Sequence, residues 1–190
     1  MEYLDIVDEQ GNPTGERAER KKAHLEGIPH RTSHVWLVRL RGGKLEVLLQ
    51  KRCEKKDSFP GCYDISSAGH IPAGVDFIPS ALRELKEELG IEATAEELVY
   101  CGDRTVRMDR TFRGIPFHDR QFSRVFFLWR NKTEESDFHL QEEEVSSVRW
   151  MEFETLLASV RDGSIPNCIA EEELLMLREA VMRAPSPLCL

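Results

Sequence analysis

The chain has no long basic run: 26 Lys and Arg stand against 34 Asp and Glu, for a formal net charge of -8. A protein that grips polymeric nucleic acid needs a continuous positive track for the backbone, so this balance argues against that partner. It leaves room for a small phosphorylated ligand, which a few local cations and a metal can hold. No apolar run approaches the ~20 residues that span a bilayer, so no membrane contact is expected. The first residues, Met1-Glu2-Tyr3-Leu4-Asp5, lack the basic and apolar regions of a signal peptide. No C-x-x-C pair occurs. The five cysteines, Cys53, Cys62, Cys101, Cys168 and Cys189, are odd in number and scattered, which predicts reduced thiols in a cytoplasmic protein. Internal repeats, low-complexity blocks and a convincing linker are also missing. At 190 residues the expectation is a single domain, 1–190.

Hydrophobic periodicity supplies the elements. Tyr3 to Val7 reads as a strand, followed by turn residues Gly11-Asn12-Pro13, with Gly15 ending the turn. Glu16 to Leu25 is polar, a short helix or an extended lead-in. His34 to Leu40 and Leu45 to Lys51, joined by Arg41-Gly42-Gly43, form a hairpin. Phe59-Pro60-Gly61 marks a loop, and Tyr63 to Ala68 is a short strand. Val99 to Val106 and Phe122 to Trp129 are further strands. Val125 to Trp129 is continuously apolar, as in a strand buried on both faces. Between those strands, Arg107 to Arg120 is polar and contains Gly114 and Pro116, so a long loop is expected. Val145 to Met151 is a strand, and Glu152 to Val160 a helix stopped near Gly163 and Pro166. A C-terminal helix runs over about 169–183 and a tail over 184–190. Interleaved strands and helices with hairpin neighbours predict an α/β fold with a mixed sheet covered by helices.

Gly69 to Ile91 carries the chemistry. Asp76 is a good N-cap, Pro79 falls in the first turn, and Gly90 sits where a left-handed residue ends a helix. Ala81, Leu82, Leu85 and Leu89 form the apolar stripe. Glu84, Glu87 and Glu88, at i, i+3 and i+4, then share the other edge. Like charges so close weaken a helix, and hard divalent cations take oxygen ligands. The bland alternative is a solvated charged face.

With Gly69, Arg83, Glu84, Leu85, Glu87, Glu88, Gly90 and Ile91 in place, the segment resembles the Nudix box, G-x5-E-x7-R-E-U-x-E-E-x-G-U with U aliphatic. The resemblance implies an α/β/α sandwich and Mg2+-dependent (or Mn2+-dependent) hydrolysis of a nucleoside diphosphate derivative or related small diphosphate. It implies that Glu84, Glu87 and Glu88, with the backbone carbonyl of Ala68, hold the metals, and that Arg83 belongs to the catalytic set. It is compatible with a homodimer. One position departs from the pattern: Val75 stands where the first box glutamate, a supporter of the arginine, belongs. Asp76 can partly replace it, or Arg83 can pair with Glu87 at i+4. The departure keeps open a second reading, a non-hydrolytic ligand-binding module.

Beyond the box, Asp5-Ile6-Val7, Phe59-Pro60-Gly61 and Gly69-His70 resemble the isopentenyl-diphosphate isomerase-like branch of the family. That likeness places Arg52 and Lys56 near a diphosphate, against an alternative of plain surface charge. It also makes His70, with His24 and His30, a candidate second metal site, although spacing alone does not establish convergence. Isomerase activity is disfavoured, because the cysteine of the isomerases before Gly-His is Ala68 here. Their later glutamate falls near Gln121, with Asp119 close by. For the base in hydrolysis, Glu84 and one member of Glu142-Glu143-Glu144 are candidates, the latter run reading first as a solvated loop. The groups that recognise the rest of the substrate are expected on the 107–120 loop and the N-terminal hairpin.

Overall fold

The computed structural model describes residues 2–185; Met1, Cys189 and the Ser186-Pro187 part of the expected tail lie outside the described residues. Nine strands and four helices follow in order: β1 (Tyr3–Val7), β2 (Pro13–Glu19), α1 (Arg20–Glu26), β3 (His30–Arg41), β4 (Lys44–Arg52), β5 (Tyr63–Asp64), β6 (Ser67–His70), α2 (Phe77–Leu89), β7 (Val99–Phe112), β8 (Ile115–Trp129), β9 (Val145–Glu152), α3 (Phe153–Asp162) and α4 (Glu171–Arg183).

The main sheet is mixed. β3 runs parallel to β8, and β3–β4, β4–β9 and β7–β8 are antiparallel. β3 and β4 pair only near their connecting turn, from Val38↔Val47 to Arg41↔Lys44. Beyond that point β6 pairs with the first half of β3 and β5 with the far end of β4. The two strands therefore part, and the chain from Tyr63 to His70 fills the gap between them.

Strand alternation sorts the core into two layers. Trp36, Val38, Val47, Leu49, Val125 and Phe127 point to the face covered by Leu156 and Leu157 of α3 and Leu174 and Leu177 of α4. Val35, Leu37, Leu48, Phe126 and Leu128 point to the other face, covered by Ala81, Leu85 and Leu89 of α2. This is the expected sandwich, with the mixed sheet between helices. Val125 to Leu128 are buried on both faces, as their unbroken apolar run predicted. The β1–β2 hairpin and α1 add a smaller cluster of Leu4, Ala18 and Ala23.

Three expectations need correction. The segment 107–120 is not a loop: β7 and β8 run on as one long antiparallel hairpin, paired from Val99↔Phe127 to Phe112↔Ile115. Its polar residues are tolerated because much of this arm alternates between an exposed and a half-buried side. Gly15 lies inside β2, since the preceding turn already closes at Asp8–Asn12, with Asn12 N donating to Asp8 Oδ1. Tyr63 to Ala68 is split between β5 and β6, which pair with different strands.

Candidate active site

α2 forms where the sequence placed it. Asp76 Oδ1 accepts from Phe77 N at 2.7 Å, and Gly90 takes the left-handed conformation, φ 70°, that lets its N–H close on Leu85 and Lys86 carbonyls. The helix packs its apolar stripe on the sheet beside β6, with Leu82 only half-buried. That seating turns Glu84 and Glu88 inward and leaves Glu87 exposed. Gly69 of β6 lies directly under Glu84: a Cβ there would collide with Cγ and Cδ of that side chain. Only hydrogen at this position lets Glu84 cross the strand.

Glu88 is 6% exposed and its Oε2 has no hydrogen-bond partner among the described residues. Burial, and next the charge of Glu84, push its carboxyl up to about 8. Burial likewise raises Glu84, opposed by Arg83 and assisted by Glu87. Two adjacent carboxylates with an orphaned oxygen are short of positive charge, so the donor set fits a hard divalent cation. Arg83 does not pair with Glu87; its Nη2 donates to Glu84 Oε1 at 2.5 Å. Asp76 does not take over the missing box glutamate either. It faces Arg31 at 3.9 Å, and that arginine also donates to the Val75 carbonyl at 2.9 Å. The Val75 side chain packs into the α2-side core.

Ala68, Gly69 and His70 border a cleft of about 1590 Å³ that opens where β3 and β4 part. Its floor comes from β3, β7 and β8, and its walls from α1, residues 55–59 and Glu143-Glu144. His24, His30 and His70 converge here, with one ring nitrogen of each within 4.8 Å of the others. Among the described residues this is the group of three metal-capable side chains drawn so close, and the box glutamates are less tightly gathered. Asp119 joins them, its Oδ1 lying 3.6 Å from His24 Nδ1 and 3.9 Å from His30 Nε2. Those three atoms are buried with no hydrogen-bond partner among the described residues. His30 Nδ1 lies 2.8 Å from the Ile28 carbonyl, which can only accept, so Nε2 presents a lone pair to the carboxylate. Burial lowers all three histidines, His24 to about 3, so the rings are neutral. Burial raises Asp119 to about 6, against the hydrogen bond from Gln121. His24 Nε2 lies 3.0 Å from His70 Nε2, so one of these rings donates to the other, and three neutral imidazoles beside a carboxylate form a donor set that fits a transition metal or Mn2+.

Sequence reasoning named the histidines, Gln121 and Asp119, but not Thr32 or the hydrogen bonds that join the last three. Thr32 Oγ1 donates to Gln121 Oε1 at 3.3 Å, and Gln121 Nε2 donates to Asp119 Oδ2 at 2.9 Å. This fixes which oxygen of Asp119 faces the rings. Arg52 lines the cleft but is spent: Nη1 donates to Asp64 at 3.0 Å, and Nε and Nη2 donate to the Ser58 carbonyl. Lys56 pairs with Glu144, so that member of the acidic run reaches the cleft, while Glu142 and Glu143 stay exposed. Phe117 stacks on His24 at 4.3 Å, Phe112 meets Phe117 at 5.4 Å and Phe59 meets Phe112 at 4.8 Å. Arg113 donates to the Glu54 carbonyl, tying the hairpin tip to the opposite wall. Period-2 alternation of Val106, Met108 and Phe112 was the available signal for this apolar wall.

Comparison with known proteins gives one consistent result. Residues 30–168 match the model of the NUDIX domain. An uncharacterized Nudix hydrolase of Clostridium acetobutylicum is 38% identical over 170 residues, covering 90% of this chain and 79% of that protein. The crystal structure of DR0079 from Deinococcus radiodurans superposes with a TM-score of 0.65 at 22% identity, covering 91% of this chain and 97% of that one. The NUDIX domain of Shewanella oneidensis NrtR, solved with ADP ribose, reaches 0.59 at 18% identity over 86% of this chain and 94% of that one. The last two likenesses speak for the fold alone. Among the described residues no helix is long and apolar enough to cross a membrane.

Proposed function

The chain belongs to the Nudix family and is a hydrolase acting on pyrophosphate bonds, and from that premise we propose that it cleaves a small diphosphate held in the cleft bordered by β6 and the β7–β8 hairpin. Mg2+ or Mn2+ would be held by Glu84, Glu87 and Glu88 with the Ala68 carbonyl. The single observation that carries this reading is the buried, unpartnered carboxylate oxygen of Glu88 beside Glu84. A divalent cation at that edge supplies charge neutralisation at phosphorus and a more acidic bound water.

The chain's own residues do the rest. Arg83, bonded to Glu84, holds that carboxylate against the helix. Lys56 draws Glu144 to the cleft wall, where it is positioned to accept the proton of the attacking water. The wall of Phe59, Phe112 and Phe117 takes the part of the substrate beyond the phosphates by stacking or apolar contact. His24, His30, His70 and Asp119 would hold a second metal ion, and their convergence supports placing the chain in the isopentenyl-diphosphate isomerase-like branch. Ala68 still argues against isomerisation, since it has no proton to give to carbon.

A metal-dependent phosphate-release assay over dinucleotides, sugar nucleotides, coenzyme A and prenyl diphosphates tests the reading. Glu87→Gln and Glu88→Gln are expected to abolish turnover with the fold intact. Full turnover by both purified variants would sink the assignment. Val75 favours the second reading, a binding module, which tight ligand binding without turnover across the panel would establish.

A further inference from the structure

Resting on that hydrolase reading, we infer that Arg104, not Arg52, is the cation on the cleft floor that grips the substrate's phosphate, and that Glu173 is the positioning residue that aims it. Arg104 lies on β7 and lines the cleft beside Thr32, Asp119 and Gln121. Its Nη1 donates to Glu173 Oε2 at 2.8 Å, and its other nitrogens have no protein partner among the described residues. Glu173 comes from the first turn of α4 and is 1% exposed. It also accepts from Trp36 Nε1 at 3.0 Å and sits 3.0 Å from His34 Nδ1. Held by three donors, the carboxylate cannot swing, so it fixes one edge of the guanidinium and leaves the rest of the fork towards the cleft. A planar fork held in this way is preorganised for two oxygens of one phosphate.

The alternatives are occupied or remote. Arg52 spends its hydrogen bonds on Asp64 and Ser58, Lys56 is paired with Glu144, and Arg20 with Glu2. Lys21, Lys55, Arg107 and Arg110 are exposed at the rim, where water and salt screen them. Arg104 is half-buried with donors to spare, beside the side chains that orient Asp119.

The test is calorimetric titration of inorganic pyrophosphate into the full chain in metal-free buffer, with thermal unfolding of each variant as a fold control. Arg104→Gln is expected to weaken binding tenfold or more. Arg104→Lys, which can keep the bond to Glu173 but not the fork, should fall between it and the wild type. Arg52→Gln should lower Tm while changing affinity less than Arg104→Gln does. Glu173→Gln should weaken binding and raise KM on any panel substrate more than it lowers kcat. Binding by Arg104→Gln within twofold of the wild type, or no measurable binding by the wild type, overturns the inference. If Arg104→Gln fails to fold, Arg104→Lys decides on the same twofold criterion. Because no turnover is read in the titration, an inactive protein that still loses pyrophosphate affinity through Arg104 would overturn the hydrolase reading alone.

Discussion

Glu173 shows how far one buried side chain can be committed. Burial pushes its carboxyl up, but the charge and hydrogen bond of His34, then Arg104 and Trp36, bring it down to about 2 from 4.5. A depressed folded-state value gives stability that is present above pH 4.5 and lost as pH falls towards 2. The shift corresponds to roughly 3 kcal/mol. His34 carries the opposite sign: burial lowers it, yet Glu173 raises it above 6.5 overall. Its contribution is complete below pH 6.5 and fades as pH rises through the folded value. Urea unfolding of metal-free protein should therefore show an acid limb that Glu173→Gln flattens; an unchanged acid limb would refute the assignment. Gly69 is committed in another way. Gly69→Ala should displace Glu84 and weaken Mg2+ or Mn2+ affinity at least tenfold by calorimetry, while circular dichroism stays unchanged.

At the scale of elements, α2 was legible almost to the residue, because an N-cap, an apolar stripe and a C-terminal glycine are local signals. The β3–β4 hairpin was legible for the same reason, through its Gly-Gly turn. The outer half of the β7–β8 hairpin was not. Its residues alternate weakly, it has no long apolar run, and Gly114 and Pro116 imitate a loop. What makes it a hairpin is pairing over the whole of both strands, a non-local property. The correction matters for function, since a hairpin holds Phe112 and Phe117 in place more firmly than a loop would. Phe117→Ala should raise KM several-fold on the preferred substrate with a smaller change in kcat; equal KM values for variant and wild type would remove the aromatic wall from recognition. The convergence of His24, His30, His70 and Asp119 was hidden for a related reason, as they come from α1, β3, β6 and β8.

On the function proposed above, the whole molecule has two sets of metal donors, one on α2 and one between α1, β3, β6 and β8. Any ion that binds only the folded chain adds to its stability, by ~2.7 kcal/mol at a hundred times its Kd. Mn2+ should accordingly raise Tm, and calorimetry should resolve two binding events. Combined His24→Ala and His70→Ala should delete one event, and Glu87→Gln or Glu88→Gln the other; a single event in the wild type would merge the two centres. The parallel pairing of β3 with β8 carries a last consequence, for the order of assembly. It joins His30 to Gln121 and Thr32 to Ser123, the latter 91 residues apart in sequence. Closing so long a loop costs entropy before any contact rewards it, and such topologies fold slowly. The histidine centre straddles this seam, so it cannot exist until the seam has zipped. Capture of Mn2+ during refolding should thus lag behind the formation of α2, and the metal would act as a reporter of the final step of folding.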